Sequence, residues 1–154
     1  DVDMILRWRN HPRVREASFT THEISAAEHR AWWAKINHDS CRRVLIFEYA
    51  GAPAGVVIFA DIGEPVVEWS FYLDIDGLGR RLLPAWLGLE GAAVAYAFDV
   101  LGAPALGGAT LAWNTPVLQL HKRFGFAQIR RYTVEIDGVS RETVWTQLRA
   151  EDRK

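Results

Sequence analysis

The chain has 154 residues, of which 49% are apolar and 24% charged, with a formal net charge of -1. That size and composition fit one globular domain spanning 1–154 and exclude a general electrostatic pull toward nucleic acid or an anionic membrane. No apolar run nears the roughly 18 residues of a membrane span, and the lone Cys41 excludes an internal disulfide or a cysteine metal site.

The opening segment Asp1–Arg9 carries Met4, Ile5 and Trp8 at amphipathic-helix spacing. Asn10-His11-Pro12 interrupts it, because the residue before proline is pushed out of helical geometry. Ser25 and Glu28 form a capping box that starts a second helix, expected to run to Ile36 with Trp32, Trp33 and Ile36 on one side. Arg43–Tyr49 and Ala54–Ala60 are strand candidates joined by a turn at Gly51-Ala52-Pro53. Val66–Leu73 is the most informative strand. Val67, Trp69, Phe71 and Leu73 alternate to one apolar face, and Glu68, Ser70 and Tyr72 to the other.

A glycine-containing segment, Asp76 to Arg81, follows at once. A long helix is expected over Ala85–Leu101, with Leu87, Val94, Phe98 and Leu101 on its repeat, stopped by Gly102 and Pro104. Leu106–Trp113 reads as a strand weakened by Gly107 and Gly108. Thr115 as N-cap and Pro116 at the first position start a helix that ends at Gly125. Strands Phe126–Ile136 and Val139–Leu148 meet at Asp137-Gly138, a strong hairpin signal. The result is a mixed α/β fold with a mostly antiparallel sheet flanked by helices and one strand–helix–strand crossover.

Three local patterns point to a family. Asn114, then Leu120-His121, then Arg123-Phe124-Gly125-Phe126 form one. Tyr96-Ala97-Phe98 before Leu101-Gly102 is the second. The third joins Ile5 to Asn10 with Val14-Arg15 and Glu23-Ile24-Ser25. Together with the element order they resemble the GNAT superfamily of N-acetyltransferases, with the family's first strand absent. The third pattern resembles the branch acting on nucleotide-linked amino-sugars, as in the pseudaminic acid pathway, which is related to the ribosomal-protein alanine acetyltransferases. The resemblance implies acetyl-CoA as cosubstrate, a small-molecule amine as acceptor, and no nucleic-acid or membrane partner. It also implies cosubstrate contacts from Phe71, Tyr72, Leu73, Gly77, Gly79, Arg80, Arg81, Asn114 and Lys122. The family's glycine loop is altered here, and Gly88 with Gly91 offers a second register for it.

The chemistry can be argued residue by residue. A loop entering a helix N-terminus suits a pyrophosphate, since free N–H groups and the helix dipole favour anions, and Arg80 and Arg81 could add charge; an ordinary tight turn is the alternative. The attacking amine must be neutral, so a base is required. Glu68, on the polar face of its strand, is the candidate, against a surface glutamate paired with an arginine. The leaving thiolate needs a proton donor. His121 shares an inward helical face with Val117 and Phe124 and stands where many relatives have tyrosine; the alternative is a satisfied core histidine. Asn114 either bonds the CoA arm or caps its helix. Arg9, Asn10, Arg15, His22 and Trp32 are the acceptor candidates, arginine being suited to phosphate and flat rings, against a solvated helix face.

Cys41 lies in a polar turn without an activating histidine, no His/Cys/Asp cluster has metal-ligand spacing, and the expected location is cytoplasmic. The non-Met start at Asp1 leaves open a longer natural chain, and a homodimer stands as a separate partner expectation. The leading expectation is direct acetyl transfer to an amino-sugar. Acetylation of a protein N-terminus or an aminoglycoside, or a silent CoA-binding module, are the alternatives.

Overall fold

The computed structural model describes residues 1–153. Six strands form one sheet: β1 (Arg43–Tyr49), β2 (Ala52–Ala60), β3 (Val67–Leu73), β4 (Ala105–Leu111), β5 (Ala127–Ile136) and β6 (Val139–Arg149). Their spatial order is β1-β2-β3-β4-β6-β5, and only β3 and β4 run parallel. The mostly antiparallel mixed sheet expected from the sequence is present. Six helices flank it: α1 (Val2–Arg9), α2 (Pro12–Glu16), α3 (Ala26–Ile36), α4 (Ile75–Leu78), α5 (Leu82–Ala95) and α6 (Thr115–Arg123).

Helix α1 lies on β2 and β3 on one side of the sheet, and α5 lies on β1 and β2 on the other. β2 is therefore covered twice. Val57 and Phe59 join the α5 side of the core, while Val56 joins Ile5 and Trp8 beneath α1. A strand buried on both faces reads as a continuous apolar run, as this one does.

Several local readings need correction. The β1–β2 turn is Ala50-Gly51, both at positive φ (54° and 80°), which is the two-residue geometry that matches strand twist. Pro53 instead sits inside β2, beside a bulge opposite Phe47 and Glu48. Only half of the capping box forms. Ser25 Oγ accepts from the Glu28 amide at 3.1 Å, but the Glu28 carboxylate turns to His22 at 2.9 Å. Chain direction recovers at Pro12, where α2 begins with His11 as its cap, an element the proline had concealed. Asn114, not Thr115, occupies the N-cap of α6, and its side chain makes no capping bond.

Helix α5 starts three residues before expected and ends in a π-helical turn, Tyr96–Val100. Its buried residues include Ala85, Leu89, Ala93, Ala97 and, as expected, Val94; Leu87, Phe98 and Leu101 are only half-buried. Small side chains let α5 approach the sheet closely, so the largest residues were poor guides to its inner face.

On α3 the buried residues are His29 and Ile36, while Trp32 and Trp33 are half-buried. His29 is 4% exposed and its Nε2 lacks a partner. Burial lowers its pKa below the ordinary 6.5, with Asp3 opposing and Arg9 adding to the shift. The unfolded chain therefore takes up this proton more readily than the native one, so stability falls as pH drops below about 6.5. The melting temperature should rise between about pH 5 and 7, and His29→Leu should flatten that rise. An unchanged slope in the variant, measured by calorimetry across this range, would remove His29 from the account.

Candidate active site

The site begins where the parallel pair fails. β3 and β4 pair only at Val67–Leu106 and Glu68–Gly107. Beyond that the strands diverge into a fork, and the β4-facing edge of residues 69–73 is left without a strand partner.

Two glycines set this geometry. A Cβ on Gly107 would lie 2.7 Å from the Trp145 indole, and one on Gly108 would lie 2.8 Å from the Trp69 carbonyl oxygen. What the sequence shows as weak strand formers are the residues that admit two large indoles at the base of the fork.

Through this gap runs a cavity of about 530 Å³. Because it passes between strands, residues from both faces of β3 line it: Trp69 and Phe71 from one, Ser70 and Tyr72 from the other. On the α5–α6 side it is walled by Trp86, Val117 and His121; on the α1–α2 side by Arg9, Arg13 and Glu16.

His121 is 4% exposed among the rings of Trp69, Phe71 and Phe126. Its Nδ1 lies 2.9 Å from both carboxylate oxygens of Glu90, a residue with no exposed surface. An ionised carboxylate can only accept, so Nδ1–H donates and Nε2 is turned away from Glu90. The pair fixes the ring plane of a histidine that borders the cavity. Glu90 was not anticipated, since nothing local in the sequence links it to a residue 31 positions away.

Glu68 stands on the opposite face of β3 from His121, at the base of the fork and outside the cavity lining. Desolvation raises its pKa, the Asp61 charge raises it further, and Arg42 opposes. Tyr72 is more deeply desolvated. Its pKa is raised far above the ordinary phenol value, with Arg9 opposing, so the hydroxyl stays a neutral donor.

Arg9 shows an unfinished set of contacts. Nη2 donates to the Thr20 carbonyl at 3.0 Å, but Nη1 is buried without a partner. Desolvation lowers its pKa, with Tyr72 opposing, Arg15 adding and Glu28 opposing. On the other side of the fork, the Trp86 indole N–H is likewise buried and unpartnered. Unsatisfied buried donors are costly in a folded chain and call for an acceptor.

The remaining predicted contacts divide clearly. Phe71, Tyr72, Leu73 and Asn114 line the cavity, as does Arg9. Tyr72, however, faces the α1 side rather than the α5–α6 side. Asn10, His22 and Trp32 do not line it. The Asn10 amide clamps Ile24 through two 2.8 Å bonds, His22 pairs with Glu28, and Trp32 packs on His29. Arg15 donates through Nε to the Thr21 carbonyl at 3.0 Å and lines a neighbouring cavity. Lys122 is exposed on α6.

The glycine segment folds as α4 plus a 3₁₀ turn, Gly79–Arg81, that leads into α5. The second register is excluded, because Gly88 and Gly91 sit within α5 and face Phe47 and Phe124. The Gly77 amide donates to the Asp74 carboxylate at 3.0 Å, so the loop is already capped by its own anion. Arg80 and Arg81 are exposed beside it. No group of three or more His, Cys, Asp or Glu among the described residues could hold a metal ion. No described helix is long and apolar enough to cross a membrane.

This forked sheet is similar to that of known proteins. The family model of the acetyltransferase (GNAT) domain matches residues 1–127. Acetyltransferase PseH of Campylobacter jejuni is 24% identical over 128 residues, which covers 82% of this chain and 76% of that protein. Spermidine N-acetyltransferase from Vibrio cholerae, solved with CoA and spermine, superposes with a TM-score of 0.83 at 18% identity, over 99% of this chain and 91% of that one. The Campylobacter jejuni PseH structure with acetyl coenzyme A gives a TM-score of 0.68 at 18% identity, over 97% and 89%. The chain therefore belongs to the GNAT family and is an acetyl-CoA-dependent N-acetyltransferase.

Proposed function

We propose that the chain, as one domain, transfers an acetyl group directly from acetyl-CoA to the amine of a nucleotide-linked amino-sugar. The observation that carries this reading is the half-buried Arg9 side chain, whose buried Nη1–H is unpartnered on the acceptor side of the fork. A desolvated cation in that position favours an acceptor that brings negative charge or strong acceptor oxygens. The likeness to PseH agrees with it. A polyamine, as bound by the Vibrio relative, would need carboxylates, and Glu16 is the one carboxylate in the cavity lining, against Arg9 and Arg13.

The fork supports the following division of parts. The open edge of β3 beyond Glu68 can take an extended, amide-bearing arm as an added strand, which suits the pantetheine of CoA. Trp86 Nε1–H and the Asn114 side chain lie on this side to bond it. The amine enters from the α1–α2 side, where Glu68, Ser70 and Tyr72 share one face of β3. Glu68 stands two residues from Ser70 on that face and outside the cavity lining, so it takes the amine proton through intervening water rather than by direct contact. On the far side His121 in its doubly protonated form, with Nδ1–H held by Glu90, gives its Nε2 proton to the leaving thiolate and is left as the neutral ring. A base and an acid on opposite faces are thus compatible, because the gap joins them across the reacting carbonyl.

The test is an acetylation assay with a uridine-diphosphate amino-sugar, spermidine and an aminoglycoside. The nucleotide sugar should be the preferred acceptor. Arg9→Met should raise its KM by about 10–100-fold, the worth of one charge-assisted bond, and leave the acetyl-CoA KM unchanged. Preference for spermidine, or an Arg9→Met variant with unaltered acceptor KM, would overturn the assignment.

A further inference from the structure

A second cavity, of about 710 Å³, opens beside the first between α2, the end of β4 and the β5–β6 hairpin. Its volume lies within the roughly 300–1,000 Å³ typical of small-molecule sites. Glu16 and Trp113 line both cavities, so the two form one continuous depression.

Three features give the second cavity a chemical character. Trp113 is 51% exposed, although indole surface is normally withdrawn from water. It is held in a tight turn after β4, where its carbonyl accepts from the Thr115 amide at 2.9 Å. A half-bare indole carried on a hydrogen-bonded turn is a platform for a flat ring.

Arg15 and Arg141 line the same cavity. Arg15 is anchored through Nε to Thr21, which leaves its two terminal nitrogens for other partners. Among the described residues Arg141 has no ion pair, whereas Arg131, Arg149 and Arg153 on the same side of the sequence each have a carboxylate. Glu16 stands where the cavities join. It can only accept hydrogen bonds when ionised, which suits sugar hydroxyls.

An aromatic platform, two cations and a hydroxyl acceptor together match one ligand class. We propose that the second cavity binds the nucleoside diphosphate portion of the acceptor, with the base on Trp113, the diphosphate between Arg15 and Arg141, and the ribose hydroxyls at Glu16. This placement rests on the nucleotide-linked reading of the substrate and adds where the nucleotide lies. It also sets the geometry of recognition: the amine is read inside the fork, and the nucleotide is read outside it.

Uridine diphosphate, uridine and inorganic pyrophosphate serve as probes in inhibition assays and isothermal titration calorimetry. Uridine diphosphate should compete with the amine acceptor and not with acetyl-CoA. Trp113→Ala and Arg141→Ala should each weaken it at least 10-fold, with the acetyl-CoA Kd unchanged. Pyrophosphate should be weakened by Arg141→Ala alone, and uridine by Trp113→Ala alone. Both side chains are exposed, so circular dichroism of the variants should match the parent.

Uridine diphosphate that binds equally well to both variants, or that competes with acetyl-CoA, would overturn this placement while leaving the amino-sugar reading intact. An amine without a nucleotide that is acetylated efficiently, and is indifferent both to uridine diphosphate and to Trp113→Ala, would overturn the substrate reading itself.

Discussion

Replacing His121 with glutamine should lower kcat by about 10²–10³-fold while leaving the acetyl-CoA Kd within a factor of two, as expected for loss of a general acid. Glutamine keeps a polar group against Glu90 but cannot pass a proton to a thiolate. Glu90→Gln should fall between the parent and His121→Gln, because the ring would keep its place and lose its charged partner. The pair also supports the fold. Glu90 has no exposed surface and bonds His121 at 2.9 Å, so His121→Leu would leave a carboxylate buried alone. Breaking such a pair costs about 3–5 kcal/mol, and joint replacement by apolar residues should recover most of it. Urea unfolding of the two single variants and the double variant measures this coupling, and steady-state kinetics measures the catalytic part. A His121→Gln enzyme with near-parental kcat would remove the acid role, even if the stability result held.

The second large effect concerns the base of the fork. Gly108→Val should destabilise the protein by about 1–3 kcal/mol, the usual range for overpacking a filled core. The added Cβ would start 2.8 Å from the Trp69 backbone oxygen, and a main-chain atom cannot swing aside as a side-chain end can. The strain has one outlet, which is to push β3 and β4 further apart, so acetyl-CoA binding should weaken along with stability. Gly91→Ala provides the contrast. Its Cβ would meet Phe124 at 3.6 Å, an ordinary contact, and it lies within α5. Alanine there should stabilise by about 0.4–1 kcal/mol through helix propensity and a less free unfolded chain. Denaturant midpoints of the two variants that moved in the same direction would contradict this picture of the glycines.

Much of the fold was legible because it rests on local rules. The alternation along Val67–Leu73 named both faces of β3, and Asp137-Gly138 has the positive φ values (52° and 77°) that a tight hairpin requires. The parts that were not legible depend on encounters between distant segments. The fork is a failure of pairing between strands more than 30 residues apart, and no single segment encodes it. Glu90 looked like one glutamate on an apolar helix until α6 brought His121 to it. On α5 the sequence pattern found Val94 but not Leu89, and it overlooked the alanines, Ala85, Ala93 and Ala97, that share the inner face.

For the site, side-chain direction was the missing quantity. Tyr72 was grouped with cosubstrate contacts by strand membership, yet the pleat turns it toward α1. Asn10, His22 and Trp32 had suitable chemistry and near-suitable positions, but their hydrogen bonds and packing hold the α1–α3 connection together instead. Arg9 was legible by type as an acceptor candidate, and it lines the cavity. Its buried, unpartnered Nη1, on which the proposed acceptor role rests, was not.

A passage that pierces a sheet has two mouths, and that has a consequence for traffic. A donor lodged from one side and an acceptor from the other need not queue at a shared entrance. Spent CoA can withdraw by its own door while the acetylated product still occupies the opposite one, and a fresh donor can load behind it. Under the proposed placement, each door can be tuned by residues that never touch the other.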